Sequence, residues 1–99
     1  MPEHLTFDSL SAQLHTKFRL SAVTDKVLEL ELVEVQAHGD VAGQTGRFSA
    51  YFRGPLEHFL PQGTYHLEHE TLGGAEIFIV PVRKDGDGIY YEAIFNRVS

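Results

Sequence analysis

The residues best suited to chemistry gather in one short stretch, His66-Leu67-Glu68-His69-Glu70. Neighbours along a strand point to opposite faces, so an extended chain places the first, third and fifth of these residues on one face and His69 on the other. His66 and Glu68 could then converge on a metal ion. A metal site needs three or four ligands, however, and no second cluster stands out as the source of the others. The pattern favours a solvated strand face with a half-buried His69 that makes a structural hydrogen bond, and we predict no metal.

Other chemical patterns in the chain are incomplete. Asp85-Gly86-Asp87-Gly88 looks like the start of a calcium loop, but the fifth and twelfth ligand positions fall on Ile89 and Asn96. The six histidines lack the HExxH spacing, and no Gly-x-Ser-x-Gly elbow is present. Cysteine is absent, which excludes a thiolate nucleophile. We therefore expect a protein that is not an enzyme, with no catalytic residues and no cofactor.

Arg53 is the most interesting single residue outside that stretch. It ends an extended segment just before Gly54-Pro55, where a loop begins. Binding residues often lie at such loop mouths. The alternative is an ordinary surface arginine that pairs with one of the 14 acidic residues.

The elements that position these residues follow from a change in hydrophobic period. The segment from Leu5 to His15 predicts a short helix, with Thr6 as its N-cap and Leu10 packing back on Leu5 as a hydrophobic staple. Beyond Lys17 the period is close to two, as in strands. Leucines alternate with glutamates along residues 27–36 until Val33 and Val35 place the apolar side chains on the other face. This change predicts either a bulge near Leu32-Val33 or a strand that is covered on both faces there.

Further strands are predicted at residues 47–52, 64–70, 75–83 and 89–97, joined mainly by short turns. Asp85-Gly86-Asp87-Gly88 has the composition of a hairpin turn. The sum is a mostly β fold with one N-terminal helix and about six strands, arranged as a small antiparallel barrel or a strongly curled sheet. Residues 1–99 are expected to form a single domain.

Composition and charge restrict the partners and the compartment. Fourteen acidic and eight basic residues give a net charge of −6, and the basic residues are scattered. Such a surface repels nucleic acid and anionic membranes. No apolar run approaches the ~20 residues of a membrane span. The chain also lacks cysteine and a signal-peptide pattern, so we expect a cytoplasmic protein.

Several stretches resemble a family of short bacterial proteins classed as a domain of unknown function. They are Phe52-Arg53-Gly54-Pro55, Leu60-Pro61-Gln62-Gly63-Thr64-Tyr65, Leu67-Glu68-His69, residues 77–82 and Tyr91-Glu92-Ala93-Ile94-Phe95-Asn96. The start of the chain is similar too. The resemblance draws attention to Glu68, His69, Glu92 and Asn96, but the family offers no catalytic residues to carry over. Such proteins look like companions of phage-tail-like or tail-collar proteins, which implies a structural or assembly role.

Two hypotheses about function follow. The first is a non-catalytic interaction or assembly module that binds another protein or a second copy of itself, through an exposed sheet edge or a two-fold axis. The second is a small-ligand or metal-binding module built on the strand from His66 to Glu70. The candidate binding residues are Arg53, His66, Glu68, His69 and Glu92.

Overall fold

Alternation of apolar and polar side chains gives six strands, and these strands close on themselves. In the computed structural model, which describes residues 5–21, 27–38 and 46–97, they form an antiparallel barrel preceded by one short helix. The helix, α1, spans Phe7–Ser11. The strands are β1 (Lys17–Ser21), β2 (Val27–His38), β3 (Gly46–Gly54), β4 (Gly63–His69), β5 (Gly73–Asp85) and β6 (Gly88–Arg97). The mostly β fold with one N-terminal helix is confirmed.

The order of the strands around the barrel is β1-β2-β3-β6-β5-β4, and every neighbouring pair is antiparallel. Pairing of β1 with β4 closes the circle through Arg19 opposite Glu68 and Leu20 opposite Leu67. Closure decides between the two predicted arrangements in favour of the barrel. Each of the described strands has two neighbours, although β1 and β4 are joined through two residue pairs only.

Helix α1 begins as predicted and ends earlier. Thr6 Oγ1 accepts the N–H of Ser9 at 3.0 Å and Ser9 Oγ accepts the N–H of Thr6 at 2.9 Å, which completes a capping box. The predicted helix ran to His15, but His15 has a left-handed φ of 70° and donates its N–H to the carbonyl of Leu32 at 2.7 Å. Pairing with β2 therefore turns the chain out of the helix before His15 is reached.

The barrel interior is filled by apolar side chains from all six strands, and both of its ends are closed. Helix α1 closes one end, where Phe7 packs edge-on against Phe48 at 5.9 Å between ring centroids. The 55–62 segment, which links β3 to β4, closes the other end with the buried side chain of Leu60. The hydroxyl of the fully buried Tyr91 accepts the N–H of Leu60 at 3.0 Å and so fixes that segment to the core.

Two local predictions about strands are confirmed. The register of β2 against β3 shifts between Leu32 and Glu34, at the predicted bulge. The turn between β5 and β6 is a two-residue hairpin in which Asp85 Oδ1 accepts the N–H of Asp87 at 2.8 Å. The predicted connection between β2 and β3 falls on residues 39–45, outside the described residues. No helix in the described part of the chain is long and apolar enough to cross a membrane.

Gly54 provides a test of the packing inside the barrel. A Cβ at this position would lie 2.7 Å from Leu30 Cδ2 and 3.3 Å from Tyr91 Cε1, and both of those side chains are fully buried and cannot yield freely. We expect Gly54→Ala to lower the free energy of unfolding by about 1–3 kcal/mol, measured by urea denaturation. Gly86→Ala is the control, since its Cβ meets nothing within 4 Å. Equal stability of the two variants would contradict this packing.

Candidate functional site

Strand β4 separates the histidine and glutamate cluster onto two faces, as predicted. His66 and Glu68 are exposed on the outside of the barrel, whereas His69 points inward and is only 5% exposed. The separation follows from the two-residue period of a strand whose Leu67 and His69 belong to the core face. The two histidines therefore have different surroundings and different chemistry.

His69 uses both ring nitrogens within the fold. Nδ1 accepts the N–H of Thr71 at 2.9 Å and the N–H of Leu72 at 3.1 Å, so this nitrogen carries no proton. The proton consequently lies on Nε2, which donates to Thr16 Oγ1 at 2.8 Å. The Thr16 hydroxyl donates in turn to the carbonyl of Gln13 at 2.6 Å. His69 thereby ties the β4–β5 turn to the junction between α1 and β1, which confirms the predicted structural hydrogen bond.

The surroundings of His69 keep it neutral. Burial lowers the pKa of His69, the charge of Glu70 raises it, and the charge of Arg19 lowers it further. A proton on Nδ1 would also face the two backbone N–H groups that this nitrogen now accepts. Since neither nitrogen is free, His69 acts as a structural anchor in this geometry and offers no nitrogen to a metal or a substrate.

His66 has the opposite electrostatics on the outer face. Its Nδ1 lies 2.7 Å from Glu76 Oε2 and its Nε2 lies 3.3 Å from Glu68 Oε2. Hydrogen bonding to Glu76, and then to Glu68, raises the pKa of His66. An imidazolium with an N–H toward each carboxylate has no lone pair for a metal. Among the residues that the structure describes, no group of three or more histidine, aspartate or glutamate side chains could hold a metal ion.

Glu76 is a neighbour of His66 that the sequence pattern did not reveal. It lies on β5 directly opposite His66 in the β4–β5 register. Ten positions separate the two residues along the chain, so only the register of the hairpin brings them together. The outer cluster is thus a three-residue ion-pair network.

Arg53 forms an ion pair, the second of the two readings that the sequence left open. Its guanidinium nitrogen lies 2.8 Å from Glu31 Oε1 on β2. Hydrogen bonding to Tyr90, and then the charge of Glu31, raises the pKa of Arg53. His15 Nδ1 lies 3.5 Å from the other carboxylate oxygen of Glu31. The surrounding cleft, about 530 Å³ in volume, is lined by side chains of both charge signs.

Glu92 bridges two strands of the barrel wall. Its Oε2 accepts the hydroxyl of the fully buried Ser49 at 2.8 Å and that of Tyr51 at 3.1 Å. Burial, and then the hydrogen bond to Glu92, raises the pKa of Tyr51. Tyr51 is also the residue opposite Glu92 in the β3–β6 register, so these contacts hold the register in place. Asn96 pairs with Arg47 in the same register, and its side chain is outside what the structure describes.

The candidates from sequence therefore lie at four separate places and do not converge. His69 is inside the barrel, His66 and Glu68 are outside it, Arg53 is paired with Glu31, and Glu92 is bound to β3. Each is engaged by contacts within the chain. Together they form no constellation of nucleophile, base and oxyanion donors.

The surface feature that sequence reasoning missed is apolar. Large apolar side chains are exposed on the neighbouring strands β5 and β6 and on the 55–62 segment, which lines a groove together with the end of β5. We call this surface the apolar face; it consists of Phe59 (61% exposed), Ile94 (55%), Phe78 (51%), Val82 (49%) and Leu56 (41%). The apolar run at residues 77–82 has the length of a buried strand, but Phe78 and Val82 within it are about half exposed.

A groove of about 560 Å³ opens at one end of the apolar face, between the 55–62 segment and the β5–β6 hairpin. We call it the Phe59 groove; it is lined by Leu56, Phe59, Pro81, Arg83, Lys84 and Ile89. Its position follows from the chain path, because Leu60 turns inward and Phe59 beside it turns outward. Concave apolar surfaces with a few polar groups are the usual form of binding sites.

The two histidines make opposite predictions about pH. Because burial lowers the folded-state pKa of His69, its contribution to stability is present above about pH 6.5, the unfolded value, and is lost as pH falls through the folded pKa. The raised pKa of His66 gives a contribution that is present below about pH 6.5 and is lost as pH rises through its folded pKa.

Urea unfolding at about pH 7.5 and about pH 5.5 tests both signs. We expect His69→Gln to lose about 1–3 kcal/mol at the higher pH, because buried backbone donors lose their acceptor. It should then lose less stability than the wild type on acidification. His66→Gln should lose more than the wild type over the same interval. An unchanged acid response in His69→Gln would contradict the neutral, doubly bonded ring.

Comparison with known proteins identifies the family but no closer relative. A search of curated proteins found no match, and a search of solved structures found none either. A family model described as a domain of unknown function, DUF6916, matches residues 5–95, which include every described strand except the last residues of β6. The match spans most of the chain, as the resemblance at the sequence level did. The chain therefore belongs to the DUF6916 family of domains of unknown function.

Proposed function

We propose that this domain is a non-catalytic protein-interaction module and that the apolar face is its binding surface. The observation that carries the proposal is the exposure of five large apolar side chains on β5, on its neighbour β6 and on the segment that lines a groove with β5: Phe59, Ile94, Phe78, Val82 and Leu56. Exposed apolar residues scattered singly are ordinary, but a group on one side is typical of an interaction surface. Aromatic side chains in particular are enriched at protein interfaces.

The closed barrel supports recognition by side chains and disfavours strand addition. With β1 paired to β4, no described strand is left without a neighbour on either side, which reduces the backbone available to an added strand. The polar candidates Glu92, His69 and His66 are likewise engaged inside the chain. The apolar face is what remains for a partner, and its burial would provide the usual driving force for association, about 25 cal/mol per Å².

An assembly role in the bacterial cytoplasm is the setting that we propose for this binding. The resemblance to companions of phage-tail-like and tail-collar proteins points to assembly, and the lack of cysteine fits a reducing compartment. The partner is another protein or a second copy of this domain. The net charge of −6 disfavours nucleic acid and anionic membranes as alternatives.

The test compares a variant of the apolar face with a variant exposed elsewhere. We expect Phe59→Ser/Phe78→Ser to lose a partner or an oligomer that the wild type forms, measured by affinity capture from a bacterial lysate and by light scattering of the purified domain. Val27→Ser is the control, since Val27 is 60% exposed but lies on β2. All three positions are exposed, so stability should change little, by about 0.5 kcal/mol or less per site.

Two outcomes would count against the module. A monomeric domain whose captured proteins are the same for the wild type and the double variant would contradict the proposal. A rise in melting temperature with a metal such as Zn²⁺, abolished by His66→Gln, would favour the alternative of a metal-binding strand.

A further inference from the structure

We propose that the Phe59 groove takes an extended segment of a partner protein in which an apolar side chain stands next to carboxylates. The inference rests on the proposed function and names where on the apolar face the recognition is specific. It follows from three properties of the groove: its apolar walls, its fixed shape and its charge.

The walls and the floor of the groove are apolar. Leu56 and Phe59 line it from the 55–62 segment, Pro81 from β5, and the buried Ile89 from the start of β6. A volume of about 560 Å³ lies within the range of ligand pockets, and is ample for one large side chain of a partner and the backbone on either side of it. An aromatic or large aliphatic side chain is the chemistry that such a lining accepts.

The shape of the groove is fixed by the core. Tyr91 is buried and its hydroxyl accepts the N–H of Leu60 at 3.0 Å while donating to the carbonyl of His58 at 3.4 Å. The Tyr65 hydroxyl donates to the carbonyl of Pro61 at 2.7 Å. These bonds on both sides of Phe59 hold it outward before any partner arrives, which reduces the entropy lost on binding.

The charge of the groove selects the partner. Among the described residues, its lining contains two cations, Arg83 and Lys84, and no carboxylate. Arg83 lies over the ring of Tyr90, with Cζ 4.1 Å from the ring centroid. The clefts around Arg53 and beside His69 differ, because each is lined by both signs.

Acidic neighbours of the groove do not cancel this charge. Asp85 Oδ2 is 4.0 Å from Arg83, at the limit of an ion pair, and its other oxygen accepts the N–H of Asp87. Glu57 adjoins Leu56 in the chain and is exposed, but it does not line the groove. On a chain with a net charge of −6, Arg83 and Lys84 are an adjacent pair of cations beside an apolar hollow. Carboxylates beside an apolar anchor complement that arrangement.

A protein segment fits these features better than a lipid surface or a nucleic acid. A concave groove encloses a side chain, and a domain with a net charge of −6 and two cations at this place has little attraction for an anionic lipid surface. Two cations on a strongly acidic domain are few against a phosphate polymer. The occupant is therefore a polypeptide with a local motif.

Selection from a displayed library of random peptides on the immobilised domain tests the motif. We expect enriched peptides to combine an aromatic or large aliphatic residue with an adjacent aspartate or glutamate. Lys84→Glu should weaken the binding of a selected peptide by at least about fivefold, because an attraction becomes a repulsion. Arg47→Glu is the control; it makes the same change in charge at the start of β3, at the opposite end of the barrel, and should leave binding unchanged.

Several results would overturn the groove proposal. They are no enrichment, enriched peptides without acidic residues, an equal effect of Lys84→Glu and Arg47→Glu, or sedimentation with phosphatidylglycerol vesicles that depends on Lys84. If any of these occurs while Phe59→Ser/Phe78→Ser still loses a partner or oligomer, the interaction function stands and the groove is not its specific site. If the double variant loses nothing either, the proposed function itself fails.

Discussion

The closure of β1 onto β4 is the constraint on which the rest of the structure depends. The two strands pair through only two residue pairs, Arg19 with Glu68 and Leu20 with Leu67. The next pair in that register would be His69 with Phe18, and the centroids of their rings lie 4.5 Å apart. The hydrogen bond from His69 Nε2 to Thr16 carries the contact beyond the end of β1. The buried side chain of His69 thus extends the contact between β1 and β4 beyond the two residue pairs that the backbone forms.

Closure explains why the polar residues of this domain are structural. Inside the wall, His69 accepts the backbone N–H groups of the β4–β5 turn and also bonds to Thr16 beside β1. On the wall, Glu92 holds β3 to β6, and Arg53 holds β3 to β2 through Glu31. The polar side chains that the sequence offered as candidates for binding hold neighbouring strands together in this fold. We propose that association with a partner uses the apolar face and the cations that line the Phe59 groove.

Sequence patterns predicted the parts of the fold that are decided locally. The capping residue Thr6, the bulge near Leu32 and the hairpin at Asp85 each follow from side chains only a few positions apart. The end of α1 could not be predicted, because the carbonyl of Leu32 on β2 takes the N–H of His15. Strand order is also decided by non-local contacts, since β3 pairs with β6 and β1 pairs with β4, each across two intervening strands.

The same division between local and non-local contacts holds for the candidate site. The inward and outward faces of β4 follow from its two-residue period, so the difference between His66 and His69 was visible in the chain. Glu76 was not, because only the register of β5 brings it to His66. The part of the apolar face on β5 lies in a continuous apolar run. A two-residue period divides such a run into two faces, but it does not show that the face with Phe78 is exposed.

Amide hydrogen exchange tests closure most directly, and with it the claim that binding must use side chains on the outside of the barrel. A closed barrel predicts that the paired amides of β1 and β4 around Leu20 and Leu67 exchange as slowly as those between β2 and β3, at a rate limited by global unfolding. Exchange of the β1 and β4 amides at rates typical of unpaired edge strands, while β2 and β3 remain protected, would contradict closure and return strand addition as a mode of binding.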